Sequence, residues 1–231
     1  MLIERLEVLT GDLAALRAFY GGRFGLPVVR ESSELVEFQV GTTLLAFARA
    51  PEGWAGCYHF AFNIPRNQFA AARAWLAERV ALATDGAGRD VFRSDDWDAD
   101  ILYYFDPAGN IGELIARHTL DCASDAPFGA GSLLAVSEIG LAVPEVPAAV
   151  ADLTARLGIA TYGETSDTFA PVGDERGLFI VARAGRIWFP NTGIVAGPLP
   201  LAVTVRDGQG QGWRVRAEGE AVVVEGDGPL A

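Results

Sequence analysis

The sequence predicts an α+β fold of tandem βαβββ modules: two paired modules, then a third module with a β-rich C-terminal tail. Two observations predict it. A strand, an amphipathic helix and several short strands recur three times along the chain, separated by turn signals. A βαβββ unit also covers only one face of its sheet with its own helix, so the bare face must meet a second unit or a ligand, and pairing creates a cleft. The implied division is a domain over 1–118, made of paired modules 1–50 and 56–118, then a linker over 119–131 and the third module with its tail over 132–231.

The first module opens with Leu6, Val8 and Thr10 in alternation. Asp12 is placed to cap a helix whose Leu13, Leu16 and Phe19 share one face. Gly21-Gly22 and Gly25 to Pro27 stop it, and strands are expected at Val28 to Arg30, Leu35 to Val40 and Thr43 to Ala48. In the second module, His59, Ala61 and Asn63 face one way along the first strand, and Phe60, Phe62 and Ile64 the other. Asn67 is the expected helix cap, and Phe69, Ala72, Leu76 and Val80 form the buried stripe. Strands follow at Val91 to Arg93, Ile101 to Phe105 and Ile111 to Arg117. Asp106-Pro107-Ala108-Gly109-Asn110 is a turn in which proline presets φ while glycine and asparagine tolerate positive φ. The third module starts at Leu133, with Val146, Val150, Leu153 and Leu157 on one helical face and strands near Ile159 to Tyr162, Thr168 to Val172, Leu178 to Arg183 and Arg186 to Phe189. The tail has β-like runs at Leu201 to Val205, Trp213 to Arg216 and Ala221 to Val224, with no helix signal.

Composition removes whole classes of function. The 231 residues carry 18 basic against 30 acidic side chains, a net charge of −12, which disfavours nucleic acid and anionic membrane surfaces as partners. Every basic residue is arginine, so lysine Schiff bases, pyridoxal phosphate and the P-loop are excluded. The glycines at 208, 210 and 212 do not lead from a strand into a helix, so neither nucleotide nor flavin is expected. Cys57 and Cys122 are too few for a disulfide framework. An acidic residue near the N-terminus and no apolar run of roughly 18 residues fit a cytoplasmic protein.

Three segments carry a family resemblance. They are Leu6-Glu-Val-Leu-Thr-Gly-Asp-Leu with Phe19-Tyr20 and Gly25-Leu26-Pro27, Tyr58-His-Phe-Ala-Phe-Asn-Ile-Pro, and Phe105-Asp-Pro-Ala-Gly-Asn-Ile-Gly-Glu-Leu-Ile. Together they resemble the vicinal oxygen chelate (VOC) superfamily: glyoxalase I, extradiol dioxygenases, and fosfomycin and bleomycin resistance proteins. The resemblance covers residues 1 to 118 and, more weakly, 132 to about 190. It implies a divalent metal such as Fe, Mn, Ni or Zn, held by residues on the first and last strands of paired modules, with substrate oxygens in the open positions. His59 and Glu113 match those ligand positions in the second module. In the first, Arg5 stands where a histidine would be and the last strand offers no ligand. Two ligands fall short of a three-ligand site, and Glu138, at the first-strand position of the third module, is a further candidate.

The remaining candidates have two readings each. Arg5 suits an anionic substrate or an ion pair with Glu113, and Arg117 a substrate or the same glutamate. His59 and Glu113 could also form a proton shuttle. Asn63 is placed to bond a ligand or the backbone, and Tyr103 and Tyr104 point to opposite faces, one into the cleft. Arg183, Arg186 and Trp188 read as an anion or aromatic subsite or as a charged edge strand. His118 reads as surface, and Asp95, Asp96, Asp98 and Asp100 as a solvated turn rather than a calcium loop. The functions in play are a metal-assisted enzyme of glyoxalase or dioxygenase type acting on a small oxygenated or aromatic compound, a metal-independent binding protein of bleomycin-resistance type, or a dimerisation module with a vestigial cleft. A homodimer is one way to cover the odd third module.

Overall fold

The computed structural model describes residues 1–190 and 192–226. Fourteen strands and three helices follow one another as β1 (Leu2–Thr10), α1 (Leu13–Leu16, continued by a π-helical turn over Arg17–Arg23), β2 (Val28–Glu31), β3 (Leu35–Val40), β4 (Thr43–Arg49), β5 (His59–Asn63), α2 (Phe69–Ala77), β6 (Phe92–Ser94), β7 (Ala99–Phe105), β8 (Ile111–Arg117), β9 (Ala135–Val143), α3 (Val146–Leu157), β10 (Phe169–Asp174), β11 (Gly177–Arg183), β12 (Leu201–Arg206), β13 (Gly212–Glu218) and β14 (Ala221–Gly226). The strand–helix–strand rhythm is the one the periodicity predicts. Asp12 caps α1, its carboxylate accepting from the Ala15 amide at 2.9 Å.

These strands form two seven-stranded sheets, one in the order β14-β13-β12-β1-β4-β3-β2 and the other β10-β11-β9-β5-β8-β7-β6. Within each module the first strand runs parallel to the last, and antiparallel pairs join the modules: β1 with β12 and β5 with β9. The sheet partnership therefore differs from the expectation. The second module shares its sheet with the third, and the first shares its sheet with the tail. Alternating apolar residues say which face a strand buries and leave its lateral neighbour unspecified, so the partner could not be read from the pattern.

The apolar faces of the two sheets share one core. Leu6, Phe38 and Phe47 of the first sheet and Phe60, Phe62 and Leu114 of the second are fully buried, and Tyr20 from the π-helical turn stacks on Phe47 at 5.2 Å. Tyr20 also donates to Asp106 at 3.1 Å, tying the first module to the turn before β8, where Asp106 accepts from the Ala108 and Asn110 amides. Three local expectations fail. Gln68 rather than Asn67 occupies the N-cap position of α2, without a side-chain capping bond, and Asn67 is engaged by both the amide and the carbonyl of Ser124 in the linker. The segments near Ile159 to Tyr162 and Arg186 to Phe189 make only the isolated bridges Thr161–Val172 and Ile187–Val195.

Candidate functional site

The second sheet has a further face, away from the shared core, and its chemistry centres on β5. His59 and Ala61 point to this face, two residues apart. Ala61 pairs with Glu113 of β8 on one side and Glu138 of β9 on the other, so its methyl group lies between two glutamates whose longer side chains close over it. One ligand atom from each of His59, Glu113 and Glu138 falls within 4.8 Å of the others, and all three residues are buried. The three line a cavity of about 270 Å³ with Tyr103 and Trp188, opening onto an outer basin that shares Trp97, Tyr103 and Phe189.

The groups around this point are unevenly satisfied. His59 Nε2 lies 3.0 Å from Glu113 Oε2, while His59 Nδ1 and Glu113 Oε1 are buried with no hydrogen-bond partner among the described residues. Arg117, fully buried, donates to Glu138 and, at 3.2 Å, to Asn63 Oδ1, with its guanidinium 5.1 Å from the Trp97 ring. Burial, and after it the charge of Glu113, pushes the Glu138 carboxyl up to about 8, against the opposing pull of Arg117. Burial and then Glu113 also raise the Tyr103 phenol well above its usual range, so it keeps its proton. Trp188 lies over the imidazole at 5.2 Å, an approach that Gly140 permits, since a Cβ there would sit 2.9 Å from the indole.

Not every candidate reaches the cleft. Arg5 is on the other sheet, held by Glu7 at 2.7 Å and Glu37 at 2.8 Å, so it neither pairs with Glu113 nor lines this cavity. Arg117 pairs with Glu138 instead of Glu113, and Asn63, donating to the Glu175 carbonyl at 2.9 Å, stands behind the carboxylates as its support. His118 sits at the strand end, its Nε2 2.9 Å from Asp100. Asp95 and Asp98 ion-pair with Arg93, as a solvated turn would. Trp97, Phe169, Ile180 and Phe189 line the cavity without having been singled out, and only the aromatic density around 188–189 hinted at it.

The donor set fits a divalent cation. One imidazole and two carboxylates, with unpartnered atoms on two of the three residues, would supply three ligands to an ion. The fourth position by register, Ile180 opposite Gly140, is apolar and leaves a side open. The corresponding register in the first sheet holds Arg5 and Glu7 on β1, with Ala46 and Ala202 flanking Glu7.

No protein-family model matches the sequence, and no curated protein matches it. Solved structures do. A candidate dioxygenase from Bacillus subtilis superposes over 100% of this chain and 86% of its own, with a TM-score of 0.64 at 13% identity. Glyoxalase I from Zea mays covers 98% of this chain and 92% of its own, with a TM-score of 0.55 at 14% identity. The chain has the vicinal oxygen chelate fold. Both VOC neighbours span nearly all of it, tail included, so β12 to β14 belong to the fold. Among the described residues no helix is long and apolar enough to cross a membrane.

Proposed function

We propose that the chain is a metal-dependent enzyme of VOC type, acting on a small oxygenated compound bound between the second and third modules. The observation that carries this reading is the convergence of His59, Glu113 and Glu138 on one point at the base of a cavity. A divalent ion held there would supply the positive charge that polarises two substrate oxygens. The chain's own groups do the rest. Arg117 holds Glu138 in place from behind, and Trp188 orients the imidazole and keeps water from its face. Tyr103, protonated throughout the neutral range, donates to a substrate oxygen developing negative charge.

Metal analysis by plasma mass spectrometry tests the proposal. The gently purified protein, re-supplied with iron, manganese, nickel or zinc, should retain about one equivalent, and His59→Ala and Glu138→Gln should each lose it while staying folded. Retention of no metal under any of these conditions would sink the metal reading. It would favour a metal-free binding cleft, in which the His59–Glu113 and Arg117–Glu138 contacts already offset the buried charge.

A further inference from the structure

The cavity lined by the three ligand candidates is lined by a cation as well. Arg186 lines it, with its guanidinium 4.8 Å over the Phe169 ring and donating to Thr168 Oγ1 at 3.2 Å, so stacking and a hydrogen bond fix the side chain. Among the described residues it makes no ion pair, although acids outnumber bases by 30 to 18 in this chain. The arginines of the outer basin differ, since Arg89 is paired with Asp85 and Arg93 with Asp98. Much of the remaining lining is aromatic, with Trp97, Tyr103, Phe169, Trp188 and Phe189. Phe189 meets Phe92 at 5.0 Å and Tyr103 at 5.6 Å edge-on, yet remains 56% exposed, a ring face with nothing laid on it.

We propose that Arg186 anchors a carboxylate of the substrate, so that the cleft takes flat, single-ring carboxylic acids with the acid group at Arg186 and the oxygenated end at His59, Glu113 and Glu138. A guanidinium fork matches a carboxylate in shape as well as charge, and holds it more strongly than any neutral group of the same size. The volume of about 270 Å³ suits one ring with a short chain. Charge agrees, because a divalent ion together with Arg117 outweighs Glu113 and Glu138 at the inner end and Arg186 adds to the excess, favouring a ligand negative at both ends. The orientation of the oxygenated end rests on the metal reading above, whereas the arginine anchor does not.

Paired probes separate the two. Binding of 3-phenylpropionate and of its amide, neither of which carries a diol, to the chelator-treated protein is followed through tryptophan fluorescence, Trp188 being part of the cavity wall. The acid should bind about tenfold tighter than the amide to the wild type and equally so to His59→Ala, while Arg186→Gln should bind the two alike with the amide unchanged. Retention of the preference in Arg186→Gln, its loss in His59→Ala, or no binding of the acid to the wild type would each overturn the anchor. Failure of the metal reading shows elsewhere, as absence of metal from the wild type and no gain in affinity from 3-(3,4-dihydroxyphenyl)propionate over 3-phenylpropionate after metal addition.

Discussion

Replacing Arg117 by methionine removes a fully buried guanidinium beneath the cleft while filling most of its length. Glu138 then loses its cation, Asn63 loses a donor, and wherever Glu138 is ionised two buried carboxylates face each other with only His59 to offset them. Breaking a buried ion pair from one side costs about 3–5 kcal/mol, because the remaining charge stays desolvated. For a chain of this length each kcal/mol lowers Tm by roughly 2–4 °C, which puts the expected fall on the order of 10 °C. Part of the loss is recoverable, since Glu138 already favours its protonated form and protonates fully in acid. Urea unfolding of the chelator-treated protein should therefore show a loss that grows as pH rises past about 8 and a smaller one near about pH 5.5, where Glu138 is protonated with or without Arg117. Adding Glu138→Gln to Arg117→Met should give a double variant more stable than the sum of the single losses, by about 2 kcal/mol or more. A single variant within about 1 kcal/mol of wild type at the higher pH, or strictly additive losses, would refute the charge argument.

Four further outcomes follow from particular groups and contacts. Because Glu138 is raised to about 8, the metal-free site carries a proton at pH 7 that an ion must displace. Metal affinity should then rise about tenfold per pH unit below that value and level off above it, with close to one proton released per ion in calorimetry at about pH 7. The same raised value makes the metal-free fold lose stability as pH climbs from the ordinary carboxylate range towards 8, since the folded state holds the extra proton. Tyr20→Phe removes a buried donor to Asp106 and should cost about 1–2 kcal/mol in urea unfolding, because three other donors remain on that carboxylate. Gly41→Ala should lower stability by more than about 3 kcal/mol, its Cβ falling 1.8 Å from the Leu134 carbonyl oxygen at a φ of +52°; a Tm unchanged from wild type would contradict this close packing of the first module on β9.

Sequence patterning carried the elements further than their assembly. The face of α3 was legible because Val146, Leu153 and Leu157 recur at helical spacing, and β8 because its ends are marked by the Asp106 turn and the linker. The antiparallel pairing of β5 with β9 was not, and with it went the weight of Glu138, which becomes a partner of Glu113 only once β9 lies beside Ala61. Arg117 misled for a related reason. A charged residue alternating with Glu113 on one strand face reads as cleft-facing, and nothing in the spacing reveals a carboxylate two strands away that draws it under the surface. Arg186 and Trp188 lie in an irregular connection, where periodicity says least and three-dimensional proximity decides most.

The two sheets present the same register with its chemistry turned inside out. In one, an alanine sits between two glutamates beside a histidine; in the other, a glutamate sits between two alanines beside an arginine. A cation held by the first arrangement would be a lodger that can leave, whereas that of the second is covalently part of the chain. A chelator should accordingly loosen one half of the molecule and leave the other untouched, and amide exchange would register the boundary between β5 and β1 as a seam between an exchangeable half and a permanent one.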